Sequence, residues 1–241
     1  GDGDGCVDPL AHARHIEYWD VDDLPFTYVI HEGGAPNISV EEVTYVPGQE
    51  IDEVVAGFEV WSTVPGATMT ATYGGTTPDS TTSGMDGIHQ VSFRDPDFIS
   101  LFGNAVIAVG LTTSLTEPGE FNGQPVRPGQ IVDADMLFNP TRLFSADTSL
   151  SAPEIRSVAV HEAGHLFGLN HSALPEATMF PALPAGFDAV TLEIDDEMLA
   201  FMSYPDPAAI PTSTQVSGLI TDGATGLPIP GAAVFALPEG T

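Results

Sequence analysis

Lysine is absent from the 241 residues, and five arginines are the only fixed cations against 34 carboxylates, for a formal net charge of −29. A field of that sign repels phosphate backbones and anionic lipid, so neither nucleic acid nor a membrane surface is expected as a partner. A single cysteine, Cys6, excludes an internal disulfide framework. There is no run of about twenty apolar residues, which leaves no candidate transmembrane helix. The chain opens on Gly1 and carries no signal peptide; it reads as a processed or excised piece, so that lack says nothing against secretion. What is present is a chain 42% apolar, enough to bury a core, with the length of one ordinary domain plus a fragment of another. Most of the carboxylates are read as a solvated surface. Calcium binding, or solubility in a salty medium that screens the self-repulsion, are the functional alternatives.

The densest chemistry lies in HEAGHLFGLNH, from His161 to His171. Residues four apart stand on one helix face, so His161 and His165 point two imidazoles at one spot. Gly168 is placed where a left-handed residue ends a helix and turns the chain, which lets His171 return as a third ligand. Three protein nitrogens on a tetrahedral ion leave the fourth position open, the mark of a catalytic rather than a structural zinc. Glu162, beside the first ligand, is placed to take a proton from water at that position.

HExxHxxGxxH is the metzincin signature, and the chain resembles that family further along. Met179 in ATMFP is similar to the methionine turn beneath the zinc, with a structural rather than a ligating role. Ser172 directly after the third histidine, and the Met-Phe-Pro order, resemble the matrixin (matrix-metalloproteinase-like) branch; Pro181 stands where astacins and serralysins place tyrosine. The resemblance implies an α+β fold: a metzincin (zincin-like) catalytic domain with a twisted mixed sheet of about five strands, a central active-site helix, a second long helix and a C-terminal helix. It implies an edge strand that pairs with an extended polypeptide substrate, and an outer pocket wall in PALPAGF, where Leu183 and Phe187 are apolar. For Cys6 it offers a latency role, a thiolate on the open zinc position, although the PRCGxPD motif of matrix metalloproteinases is not present. The histidine cluster of the family's second, structural zinc is not found either, and His12, His15, His31 and His89 are read as surface or core residues.

Taken in order, residues 1–9 form an acidic, glycine-rich leader and the catalytic domain spans 10–205. Within it FTYVI (26–30) predicts a strand. Ile51, Val54, Val55, Phe58 and Trp61 predict an amphipathic helix with one apolar stripe. Strands are predicted in 68–73, 89–93, 104–113 and 130–139, separated by loops rich in Gly, Pro, Thr and Asp. On the last of them Asp133 and Asp135 share a face, either as calcium ligands or as a solvated edge. Ser151, Pro153 and Glu154 predict a capping box that starts the active-site helix. The helix itself is apolar nearly all round, hence buried. A final helix follows, with Thr191 near its start and Asp195 and Asp196 in its first turns, favoured by the helix dipole and read as capping and solubility groups. Residues 206–215 read as a Pro/Thr-rich linker. Residues 216–241 resemble the truncated start of a carboxypeptidase-regulatory-like β-sandwich.

The function expected is that of a secreted, monomeric zinc metalloendopeptidase that hydrolyses extracellular proteins through a zinc-bound water activated by Glu162. Its rival from another class is a catalytically silent metzincin-fold surface adhesion or binding module, which would keep zinc and cleave nothing. A zinc hydrolase acting on non-peptide substrates shares the metal site but has no use for the edge strand.

Overall fold

Phe26, Tyr28 and Ile30 alternate with more exposed neighbours and turn into the core, and the segment forms strand β1 (Phe26–His31). The computed structural model describes residues 17–39, 45–79, 84–146, 152–182, 189–209 and 218–229. Among these, β1 is followed by helix α1 (Gln49–Ser62), strands β2 (Ala71–Thr77) and β3 (His89–Ser92), a short helix α2 (Phe98–Phe102) and strand β4 (Ala108–Ser114). A small hairpin, β5 (Gly119–Phe121) and β6 (Gln124–Val126), leads to β7 (Ile131–Phe138), helix α3 (Ile155–Leu166) and helix α4 (Ile194–Ser203). Five strands form one mixed sheet in the order β2-β1-β3-β7-β4; β4 runs antiparallel to β7 and the other pairs are parallel. The outer side of β4 pairs with no strand among the described residues. No helix among them is long and apolar enough to cross a membrane.

Helix α3 is the centre of the packing. Ile155, Val158, Ala159, Val160, Ala163 and Leu166 are all buried, which covers most of its circumference. On one side lie β4 and β7, and on the other lies α1, whose buried Val54, Phe58 and Trp61 come from the apolar stripe read in the sequence. Gly57 makes the close approach of α1 to α3 possible: a Cβ there would fall 2.6 Å from the Ala159 Cβ. Trp61 donates its indole N–H to the Val160 carbonyl at 2.8 Å, so its one polar atom is satisfied in the core.

Several boundaries differ from the expected ones. The predicted 68–73 strand begins at Ala71, and the 104–113 strand at Ala108, because residues 104–107 are held in a loop described below. Helix α2 and the β5–β6 hairpin occupy stretches expected to be loops. The predicted capping box involves Ser151, which lies outside the described residues; the helix begins at Ile155 with Glu154, in extended conformation, as N-cap. The Glu154 carboxylate accepts the Ser157 hydroxyl at 2.5 Å. Residues 218–229 form a turn of their own, with Asp222 accepting the Ala224 and Thr225 amides and a bridge between Thr221 and Pro228. Cys6, His12, His15, Leu183 and Phe187 lie outside the described residues.

Candidate active site

Helix α3 carries His161 and His165 one turn apart, as the spacing requires. It ends at Gly168, whose φ of +84° is left-handed, and a Cβ at that position would fall 2.3 Å from the Glu17 carbonyl oxygen. The helix's terminal carbonyls are satisfied from outside. The Trp19 indole donates to Leu166 at 2.8 Å, and the Tyr204 hydroxyl to Phe167 at 2.5 Å. With the helix stopped there, the chain returns His171 to the same spot. One ligand atom from each of the three histidines lies within 4.8 Å of the others, and among the described residues this is the one such group of histidine, cysteine or carboxylate side chains.

The tautomers follow from the partners. A carbonyl can only accept, so His161 donates Nδ1–H to Thr178 at 2.7 Å and His165 donates Nδ1–H to Leu169 at 2.8 Å. Each Nε2 is then left with a free lone pair. The Nε2 atoms of His165 and His171 are 3.1 Å apart, against about 3.3 Å for two nitrogens on one tetrahedral zinc. Burial, and then the neighbouring imidazoles, push the His161 pKa down to about 4, against the opposing bond to Thr178; burial also lowers His165. Both rings are therefore neutral at neutral pH, as ligation demands. By donor type, tautomer and spacing the triad fits a zinc ion.

Glu162 is buried beside the triad, and burial raises its pKa to about 8, opposed by a bond from the Gly110 amide. A bound dication acts in the opposite direction and favours the carboxylate. Next to Glu162 opens a cavity of 570 Å³ walled by residues 105–111, Val158 and Phe180–Ala182, with mostly apolar lining. Its floor is the free edge of β4. Gly110 lets that strand run against α3: a Cβ there would fall 2.7 Å from the Glu162 carbonyl oxygen.

Residues 107–201 match the family described as Matrixin. That stretch holds β4, β7, the histidine triad and most of α4, and the five-stranded mixed sheet with its helices is consistent with a metzincin catalytic domain. Two plant proteins illustrate the similarity. Metalloendoproteinase 1 of Glycine max is 50% identical over 64 residues, which are 27% of this chain and 21% of that protein. Metalloendoproteinase 5-MMP of Arabidopsis thaliana is 54% identical over 43 residues, 18% of this chain and 12% of the relative. The chain thus spans about a fifth or less of the length of these relatives. Matrixins are zinc enzymes, so a catalytic zinc is expected at the triad.

Within the matrixin-like segment, Met179 is fully buried beneath the helix: a Cβ on Gly164 would fall 2.4 Å from its sulfur. The groups that hold this turn carry no local signal in the sequence. Asp196, fully buried, accepts the amides of Thr178 at 2.8 Å, Met179 at 3.1 Å and Glu193 at 3.0 Å. With Glu193 it forms the capping box of α4, the capping role expected of it, and beyond that it holds the methionine turn. Asp195 accepts the Ser172 hydroxyl at 2.5 Å, and Ser172 donates its amide to the Met179 carbonyl at 2.8 Å. The pocket rim has a similar anchor. Asn139, fully buried, donates from its side chain to the Val106 carbonyl at 2.8 Å and from its amide to Ile107 at 2.9 Å, while Arg142 donates to Ala105. Nothing local in the sequence marks Asn139 for this role.

Asp133 and Asp135 are not on a solvated edge. Both are buried on β7; Asp133 accepts the Met85 and Gly87 amides at 2.7 and 3.0 Å, and Asp135 the Gln90 amide at 3.0 Å. No third histidine, cysteine or carboxylate ligand joins them among the described residues. His89 lies 3.6 Å from Asp133 but spends its Nδ1 lone pair on the Ala134 amide, and His31 likewise accepts from Gly33. Burial first, and then the neighbouring Asp133 charge, raise the Asp135 pKa to about 7. A folded pKa above the unfolded value means that the fold prefers the protonated acid. Its stabilising effect is full below about pH 4 and is lost as pH rises through 7. Denaturant titrations should therefore find Asp135→Asn more stable than the parent at pH 7.5 by a few kcal/mol, and equal to it near pH 4; each pH unit separating the folded from the unfolded pKa is worth about 1.4 kcal/mol. If added calcium made the parent the more stable of the two at pH 7.5, the pair would instead be a cation site.

Proposed function

We propose that this chain is a zinc-dependent metalloendopeptidase that acts on polypeptides bound in extended form along β4. The observation that carries the reading is the arrangement of three imidazoles, two with tautomers fixed by carbonyls, around one point beside a buried carboxylate and an open-edged strand. His161, His165 and His171 would hold a zinc ion, which would supply a Lewis acid for the scissile carbonyl and lower the pKa of the attacking water. Glu162 accepts the proton of the attacking water on its carboxylate and returns it to the leaving nitrogen. The backbone of β4 orients the substrate through main-chain hydrogen bonds, as an edge strand offers unpaired N–H and C=O groups in register. The cavity beside Glu162 takes one apolar side chain next to the bond that breaks.

Secretion, action outside the cell and a monomeric state are part of this reading; the acidic composition is compatible with the first two. The test is cleavage of an unfolded protein by the purified chain, followed by chelation and by zinc restored to the chelated protein. Activity should disappear on chelation and return with one equivalent of zinc. A chain that binds zinc and leaves every polypeptide intact would instead be the binding module.

A further inference from the structure

The apolar cavity lies at one end of β4, and a second cavity of a different character lies at the other. It measures 160 Å³, is almost entirely polar, and is lined by Glu17, Thr112, Asn170, the edge of His165 and the backbone at Gly110 and Gly168. Glu17 is brought there by tertiary packing. Tyr18, its neighbour, pairs with Gln130 and exchanges backbone bonds with residues 129 and 131, and the Glu17 carbonyl rests on Gly168 where a side chain would not fit. The Glu17 carboxylate accepts the hydroxyls of Thr112 and Ser114, alternate residues of β4 that share a face.

Those two bonds fix the carboxylate without neutralising it. An ionised carboxylate has about four acceptor sites, so two hydroxyls leave room for a further donor. No described cation takes that place. Arg94 is spent on the Gly33 and Gly34 carbonyls, Arg127 on Asp20, Arg142 on Ala105 and Arg156 on Glu53. The result is an oriented negative charge in a polar recess beside a candidate zinc ligand, further along β4 than the apolar cavity. A polypeptide lying along β4 passes both.

We propose that Glu17, oriented by Thr112 and Ser114, forms a cation-selecting subsite, so that the preferred substrates carry arginine or lysine on the side of the scissile bond opposite the apolar residue. The proposal rests on the peptidase reading for its meaning in turnover but not for its test. Guanidinium is the better ligand of the two, since its planar fork donates to a fixed carboxylate in a defined direction. The general acidity of the chain attracts any basic peptide, but Glu17 is one of 34 carboxylates, and neutralising it barely alters that long-range field.

The experiment uses the zinc-loaded Glu162→Ala chain, which is expected to bind peptides without turning them over. Fluorescence anisotropy compares labelled peptides identical except for arginine or citrulline, its neutral isostere, scanned through the positions on either side of a central leucine. At one position on one side, the arginine peptide should bind about tenfold tighter than the citrulline peptide, the scale of a charge-assisted contact. Adding Glu17→Gln should bring that ratio close to one, and Glu17→Arg should invert it in favour of a glutamate peptide. Thermal melting of each variant checks that it is folded, and Thr112→Val, which releases the carboxylate but keeps the charge, should reduce the ratio partway. A ratio unchanged by Glu17→Gln, or no position at which arginine is preferred, overturns the subsite. Cleavage by the parent in that case leaves the peptidase reading standing, whereas a preserved Glu17-dependent ratio with no cleavage by the parent would leave the subsite and remove the peptidase.

Discussion

Glu162→Ala should lower kcat/KM for a polypeptide substrate by about 10² to 10⁴, the usual scale for a general base, while the protein retains one zinc per chain. The two halves of that result come from different residues. Metal retention would rest on His161, His165 and His171, and the Nδ1 bonds that hold His161 and His165 do not involve the Glu162 side chain. Turnover would rest on a carboxylate whose pKa burial raises, with the Gly110 amide opposing it. Metal analysis and steady-state kinetics on the same preparation check both. Turnover by the variant equal to that of the parent would remove Glu162 from the chemistry, and loss of zinc would make it a structural residue.

Asp196→Ala should destabilise the fold by about 3 to 5 kcal/mol, since two buried amides and one part-buried amide lose their acceptor and each buried unsatisfied group costs about 1–3 kcal/mol before the structure relaxes. The effect reaches the metal. The amides released are those of Thr178, Met179 and Glu193, and the Thr178 carbonyl is the group that holds His161 by its Nδ1. Zinc affinity should therefore fall by about 10- to 100-fold, the range seen when partners behind a ligand are removed. Denaturant unfolding and a zinc competition titration would measure the two losses. Asp196→Asn should fall between parent and alanine variant, because its amide oxygen accepts some of these bonds while its NH₂ faces donors. A stable Asp196→Ala protein with parental zinc affinity would show that the methionine turn holds itself.

The chemistry of the centre is legible in the chain because helix geometry is local. The i,i+4 histidines, the glycine stop and the adjacent glutamate need only the 3.6-residue turn and the left-handed freedom of Gly168 to converge. The apolar stripe of α1 and the near-continuous apolar surface of α3 are legible for the same reason, since their periodicity reports burial directly. The start of α3 is not, because Glu154 fits an N3 residue or an N-cap equally well by composition, and only its extended backbone and its contact with Ser157 decide for the second. Asp133 and Asp135 alternate as solvated edge residues do, yet β7 is covered on both faces, so the alternation carries no information about exposure.

The sequence by itself determined which residues converge on the candidate zinc site and that the helix carrying them is buried, because those relations run over a few residues of one helix and its stop. Tertiary structure alone decided what braces that centre. Asp196 reaches the methionine turn from 17 residues away, Asn139 holds a rim 33 residues upstream, and Glu17 arrives at Thr112 across 95 residues. Contacts over such separations are set by how sheet and helices pack, and no local pattern in the chain encodes them.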